Sequence, residues 1–391
     1  MLFVSNRNII SVSWGDHVTF GERDGKLDTL DALEKRMKTW KKDLGAEIIH
    51  WRQIRTHLNG HLYAAEGIKN PLEKLREIPW DDFQEVPKLA YENGLRPYLY
   101  VSLFDEGWSL PPKEVREVSY HNSMHCQHVS WQSSFSKEHP EYTVVDRSGK
   151  NRQWGVLSLS YQEVRDHFCT LFTKLLEGCD FEGLFVCFRS QSRPADFADQ
   201  YGFNEPVRQD YLKKYGYDIL AEDFDLSLWR NLEGDYITLF LQQLRQKLKK
   251  HGIRLSVGIS RGEILGPPMG NTVLQWRKWV HENLVDELII NQNSSQCPSL
   301  WHQLWPMHRG DGYLQNYLTG YNLPSLPKHI EEIYYPEMKN SQTELFIARQ
   351  WDERDKILEE QLLNTDDVSG LVYSSFRNDN VGPIKKGNWV A

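Results

Sequence analysis

The chain has 391 residues and carries 46 lysines and arginines against 54 aspartates and glutamates, a net charge of −8. That balance argues against a general nucleic-acid binder, which needs a basic face, and no run of eighteen apolar residues offers a membrane span. The length suits two or three ordinary domains or one large α/β barrel. Fourteen tryptophans and 12% aromatic residues suit stacking on flat sugar rings, and equally a large core.

The five cysteines, an odd count, form no CxxC pair with zinc spacing. Cys169, Cys179 and Cys187 lie in apolar runs and read as small core residues. A reducing cytoplasm is the simplest compartment, because the start MLFVSNRNII shows no charged segment followed by a long apolar one. A secreted protein whose leader has been trimmed would read the same way.

Strand-like runs and helical segments alternate along the chain. NIISVSW at 8–14 is β-branched and apolar. Residues 27–44 put Leu27, Leu30, Leu33, Met37, Trp40 and Leu44 on one helical face, with Gly45 as a stop. AEIIHW at 46–51 is a second strand, and helical sequence over 71–92, interrupted by Pro79, leads to a third at 96–104. A long polar and aromatic excursion covers about 105–160, and loops of that length in compact domains usually carry function. A helix at 161–178 precedes the fourth strand, EGLFVCF at 182–188. Helices from Glu205 and over 227–251 lead to the fifth strand, IRLSVGIS at 253–260. A helix over 274–284 is followed by the sixth strand at 285–291. A helix near 325–338 precedes the seventh strand at 344–350, and DERDKILEEQLL precedes the eighth at 368–376.

Eight strands alternating with helices, without a linker, predict one (β/α)8 TIM barrel over 1–391 with long βα-loop insertions. An open doubly wound sheet is the alternative, but no GxGxxG or GxxxxGK[ST] follows any strand.

In a barrel the chemistry sits in the loops after the strands. Those positions carry Trp14 after the first strand, Arg52 after the second, and Asp105, Glu106 and Trp108 after the third. Arg189, Gln191, Arg193 and Glu205 follow the fourth strand, Arg261 and Glu263 the fifth, Gln292 and Asn293 the sixth. Arg349, Trp351 and Asp352 follow the seventh, and Arg377 the eighth. Aromatic faces stack on pyranose rings, amides and carboxylates bond hydroxyl pairs, and two carboxylates supply acid with base or nucleophile.

WQSSF at 131–135, HPEY at 139–142, LSLSYQEVRDHF at 157–168 and FNEPVRQDYLKKYGYDI at 203–219 resemble the bacterial glycoside-hydrolase-like barrels of the glycosyl hydrolase family 10-like group, over about residues 10–380 as an order of elements. The resemblance implies a barrel and activity on carbohydrate. Such barrels tend to carry an acidic pair directly after the fourth strand, where this chain has Phe188, Arg189 and Ser190.

Each candidate has a plainer role beside its chemical one. Glu205, in Asn-Glu-Pro like the acid/base motif of retaining barrel glycosidases, also opens a helix whose dipole a carboxylate suits. Asp352 also suits an N-cap, and Asp105 and Glu106 suit a turn beside Gly107. Glu263 directly follows a strand with no helix to cap and ranks first, paired with Asp105, Glu106 or Glu205. His121, His125 and His128 have the spacing of one helical face but no HExxH pattern, so no metal is expected. The strand-end arginines match carboxylate or sulfate by their fork geometry, or pair with neighbouring acids.

The expectation is a glycoside hydrolase acting on an oligo- or polysaccharide, with an anionic sugar as the sharper form. No cofactor and no nucleic-acid or membrane partner is expected. A non-catalytic sugar-binding barrel and a uronate lyase are the alternatives.

Overall fold

The computed structural model describes residues 7–12, 27, 29–52, 63–64, 80–104, 106–109, 129–150, 152–188, 201–221, 223–261, 264–265, 272–292, 324–349 and 356–374. Fifteen strands in chain order are β1 (Asn8–Val12), β2 (Ala46–Arg52), β3 (Tyr63–Ala64), β4 (Arg96–Ser102), β5 (Gly107–Ser109), β6 (Val129–Gln132), β7 (Thr143–Val145), β8 (Arg152–Leu157), β9 (Gly183–Cys187), β10 (Arg254–Gly258), β11 (Ile264–Leu265), β12 (Thr272–Val273), β13 (Glu287–Ile290), β14 (Glu344–Ala348) and β15 (Val368–Ser374). Eight of them close into a parallel barrel in the order β1-β15-β14-β13-β10-β9-β4-β2. The open-sheet alternative is thereby excluded. These strands are buried on both faces, which is why they read as nearly unbroken apolar runs.

The helices form where the apolar period and the caps agree. Helix Leu30–Leu44 starts at Thr29, whose Oγ1 accepts from the Ala32 amide at 3.2 Å, and ends at Gly45 with φ 59. Its Leu33, Met37 and Trp40, at i, i+4 and i+7, are buried against the barrel wall. Helix Asp82–Glu92 is capped by Asp81 Oδ1 on the Phe83 amide at 3.1 Å, and Asp82 Oδ2 accepts from Trp51 Nε1 of β2 at 3.1 Å. Helices Gln162–Leu176 and Leu226–Lys249 pack on each other outside β9 and β10 through Phe168, Phe172 and Phe240. Between Leu326 and Met338 the helix passes through a π segment, Ile330–Tyr334, just before Pro336, which has no amide to offer the preceding turn.

Two apolar layers result. The larger lies between barrel and helices, and the smaller fills the barrel with Ile9, Ile48, Tyr98, Tyr100, Phe185, Cys187, Ile289, Phe346, Ala348 and Val372. Cys169 and Cys187 are buried and Cys179 half-buried, all as free thiols.

The N-terminal end of the barrel is closed by ions rather than hydrocarbon. The Tyr98 hydroxyl donates to Glu287 Oε1 at 2.7 Å, and Arg254 reaches Tyr98 Oη at 3.0 Å, Glu287 Oε1 at 3.2 Å and Glu344 Oε2 at 2.7 Å. Arg96 pairs with Glu182, and Arg7 with Glu344. The described part of the excursion after β4 has structure of its own. A three-stranded sheet, β3-β6-β5, joins it to the segment after β2, and β7 pairs with β8. No helix among the described residues is long and apolar enough to cross a membrane.

Candidate functional site

The C-terminal ends of the barrel strands lie opposite the ion plug, and four described side chains stand there. Arg52 is the last residue of β2 and shares an inward phase with Ile48 and His50. It is 4% exposed, and its guanidinium carbon sits 4.7 Å from the centroid of the Tyr100 ring on β4. That contact places a fixed positive charge on an aromatic face, where little water competes with it.

On the other side Cys187, ending β9, bonds Gln292 Oε1 with its Sγ at 3.4 Å. Gln292 reaches past the end of β10 to β9 for two reasons. Asn291 takes a left-handed conformation, φ 64, and donates from Nδ2 to the Ala348 carbonyl at 2.9 Å, which re-aims the chain after β13. Gly258, ending β10, leaves the space. A Cβ there would overlap Gln292 Oε1 and stand 2.8 Å from Phe185 Cε2. The strand ends thus offer a guanidinium, a phenol ring, a thiol and a carboxamide. These are groups that bind polyols and anions.

Below Arg52 on the same strand, His50 is fully buried and stacked on Phe185, with ring centroids 4.1 Å apart and planes at 19°. Burial pushes its pKa down to about 3, so it is a neutral imidazole.

Other expected site residues fall elsewhere. Glu106 lies just before β5, 5% exposed, with its amide on the Gly155 carbonyl at 3.0 Å and its own carbonyl accepting from the Ser133 amide at 2.8 Å. It is therefore a buried carboxyl in the seam between strand end and excursion. The Trp108 backbone is in register with Trp131 across β5 and β6. Glu205 occupies the first turn of helix Glu205–Tyr215 with a 58% exposed side chain, bonded to Arg208 and Gln209 of the same helix at 3.0 Å each.

Two arginines expected at the rim are instead in the wall. Arg349 follows the inward Ala348 and points outward, so its Nε meets Glu359 Oε1 of helix Lys356–Leu363 at 3.3 Å, and Tyr373 bonds the other oxygen at 3.3 Å. Arg261 lies near His329 on the outer helices. Burial first, then the charges of Arg261 and Arg277, hold that imidazole down at about 4. Trp14, Asp105, Arg189, Gln191, Arg193, Glu263, Asn293, Trp351, Asp352, Arg377 and the histidine series 121, 125 and 128 lie outside the described residues. Among the described residues no three His, Cys, Asp or Glu side chains form a metal cluster.

Sequence reasoning overlooked Tyr100 and His50, while its reading of Cys187 as a core residue holds, since Cys187 is buried in the inner layer. The signal was strand phase, since Tyr98, Tyr100, Phe185 and Cys187 alternate with Leu99, Val101, Leu184 and Val186, which face the helices.

No family model matches the chain, and no curated protein matches it in sequence. Solved structures do match in fold. The PgaB (BpsB) glycoside hydrolase domain from Bordetella bronchiseptica aligns over 94% of this chain and 93% of its own at 14% identity, with a TM-score of 0.51. The alpha-L-fucosidase isoenzyme 2 from Paenibacillus thiaminolyticus aligns over 94% of this chain and 46% of its own at 10% identity, TM-score 0.49. The maltogenic alpha-amylase AmyB from Thermotoga neapolitana aligns over 95% of this chain and 68% of its own at 12% identity, TM-score 0.45. At these identities the likeness is one of architecture: the chain is a (β/α)8 barrel of the kind that glycoside hydrolases use.

Proposed function

We propose that this protein is a glycoside hydrolase that cleaves an oligo- or polysaccharide at the C-terminal mouth of its barrel, with an anionic sugar, uronic or sulfated, as substrate. The reading is supported by the barrel, shared almost end to end with a glycoside hydrolase domain, and by the site within it. Fold analogy alone sets only a class of chemistry. The single observation that sharpens it is Arg52, buried over Tyr100 at the C-terminal end of β2. A guanidinium there presents a two-pronged donor to a sugar carboxylate or sulfate.

Hydrolysis needs an acid and a base or nucleophile flanking the glycosidic bond. Glu263 is assigned the acid on its sequence pattern, a carboxylate in the Gly/Pro loop after the fifth predicted strand with no helix to cap. Its partner comes from Asp105, Glu106, Glu205 or Asp352. Among these, Glu106 is a buried carboxyl just before β5. The strand ends also support a second reading, a barrel that binds sugar without cleaving it, since their described groups bind rather than transfer protons to an ether oxygen.

One experiment separates the readings. Purified protein is incubated with matched neutral, uronic and sulfated oligosaccharides, and reducing ends, unsaturated products and binding heats are followed. A hydrolase releases reducing ends without unsaturation, and Glu263→Gln lowers that rate by about 10²–10⁴-fold. Binding without release supports the non-catalytic barrel, and an unsaturated product supports a lyase. Equal affinity for charged and neutral sugars removes the anionic substrate.

A further inference from the structure

Helices Gln162–Leu176 and Leu226–Lys249 pack on each other through Phe168, Phe172 and Phe240 and end together where β10 begins, at the opposite end of the barrel from Arg52 and Gln292. Between their last turns lies a cavity of about 290 Å3. The turn into β10 shapes it. Gly252, with φ 68, ends the longer helix, and the Leu248 carbonyl accepts from the Ile253 amide at 3.2 Å while the Lys249 carbonyl accepts from the Gly252 amide at 3.3 Å. This is the Schellman pattern, which folds the residue after the glycine back onto the last helical turn. Leu248 and Ile253 accordingly line the same cavity, with Leu176 of the neighbouring helix.

The rest of the lining is charged or polar. Lys247, Lys250 and His251 come from one helix end and Glu177 from the other. Lys250, His251 and Glu177 are exposed, so the cavity opens to solvent on that side. Lysine lays its methylene stem on apolar surface and holds its ammonium at the edge. The two lysines against Glu177 leave one positive charge in excess, in a chain whose net charge is −8. Lys174 and Lys249 in the same two last turns add to the local positive field. Lysines near helix C-termini also complement the helix dipole, but that role requires no cavity beside them.

We propose that this cavity is a binding site for a small apolar carboxylate, whose hydrocarbon part lies on Leu176, Leu248 and Ile253 and whose charged end meets Lys247 and Lys250. The chemistry of the lining selects each half of that ligand. An apolar wall takes hydrocarbon from water, and the one charge in excess is balanced by one carboxylate. The size fits as well. The cavity is about twice the roughly 150 Å3 that holds a benzene, so it suits a chain or ring of about ten non-hydrogen atoms. The site is separate from the strand ends where sugar is proposed to bind, and it stands whether or not the barrel hydrolyses sugars.

The test is calorimetric titration of the full chain with octanoate, octanol, octylammonium and acetate, each below the concentration at which it forms micelles. Octanoate binds saturably at one site, roughly tenfold more tightly than octanol, as two lysine–carboxylate contacts allow. Octylammonium and acetate, which lack one half of the ligand, bind more weakly than octanoate. Replacing both cations, Lys247→Gln with Lys250→Gln, brings octanoate down to the affinity of octanol. Thr173→Phe, which puts a ring into the cavity from its lining, removes the binding of both. Three results overturn the proposal: no saturable binding of octanoate, equal affinity for octanoate and octanol in the wild type, or an octanoate affinity unmoved by the double lysine replacement. The lysine replacements, which are made on the surface of a helix end, decide the matter if Thr173→Phe does not fold.

Discussion

Glu233 sits in the middle of helix Leu226–Lys249 with nowhere to put a charge. The residue is 4% exposed, Oε1 has no hydrogen-bond partner among the described residues, and a Cβ on Gly202 would stand 2.9 Å from it. Burial alone pushes its pKa from 4.5 up to about 8. The carboxyl is therefore protonated in the native state at neutral pH, while in the unfolded chain it is ionised. A folded pKa above the unfolded one means that the group's contribution is fully present below about 4.5 and is lost as pH rises through about 8. At about 1.4 kcal/mol per unit, the window spans roughly 5 kcal/mol, to order of magnitude. Glu233→Gln keeps the shape and removes the titration. Denaturant unfolding of both proteins at pH 5, 7 and 9 is the assay. Wild type loses several kcal/mol relative to the variant between the ends of that series. Parallel stability profiles would refute the reasoning, and would mean that Glu233 reaches a partner or solvent when it ionises.

Three further outcomes follow from the geometry. Arg349→Ala breaks a buried pair with Glu359 and should cost about 3–5 kcal/mol in denaturant unfolding, while calorimetry shows sugar affinity unchanged in the protein that remains folded. Gly258→Ala forces Gln292 and Phe185 aside, so it should cost about 1–3 kcal/mol and also weaken ligand binding, measured by the same two methods. Tyr98→Phe removes the hydroxyl that joins Arg96 and Arg254 to Glu287. It should cost about 1–3 kcal/mol without changing binding at the opposite end of the barrel.

Much of the barrel was legible because its strands obey one rule. A parallel strand covered on both faces reads as a short aliphatic run, and all eight such runs became barrel strands. Helix starts were legible to within a few residues from the apolar period, at 27 and 227, while the caps at Thr29 and Asp225 are seen in the structure. The excursion was not legible, because its sheet joins Tyr63 and Ala64 to Gln132 and Trp131, nearly seventy residues on in strands of two to four residues. Such pairings leave no local period to read. Gln292 was identifiable as a polar residue at a strand end, but its reach depended on a left-handed Asn291 and a bare Gly258, which only three-dimensional neighbours reveal. At Glu205 the local signal was present in full, since Arg208 and Gln209 at i+3 and i+4 are the partners that its carboxylate meets.

The arginines show why position at a strand end is too coarse a criterion for a site. Arg52, Arg261 and Arg349 all sit at or just past the end of a barrel strand, yet they point to different sides of the wall. Side chains alternate along a strand, so phase decides. Trp51 belongs to the layer under the helices and His50 to the interior, so Arg52, two residues beyond His50, faces in. Val257, Ile259 and Ile347 belong to the outer layer and Ala348 to the inner one, so Arg261 and Arg349 face out. Arg349 meets Glu359, as a charge in a protein wall must, because an unpaired guanidinium there would be costly, and Arg261 lies near enough to His329 to add to burial in disfavouring its protonated form. The inward one meets the Tyr100 ring at the C-terminal end of the barrel interior. Of these three Arg52 faces the barrel interior, so in the proposed reading the charged sugar depends on strand phase at that one position rather than on a crowd of arginines.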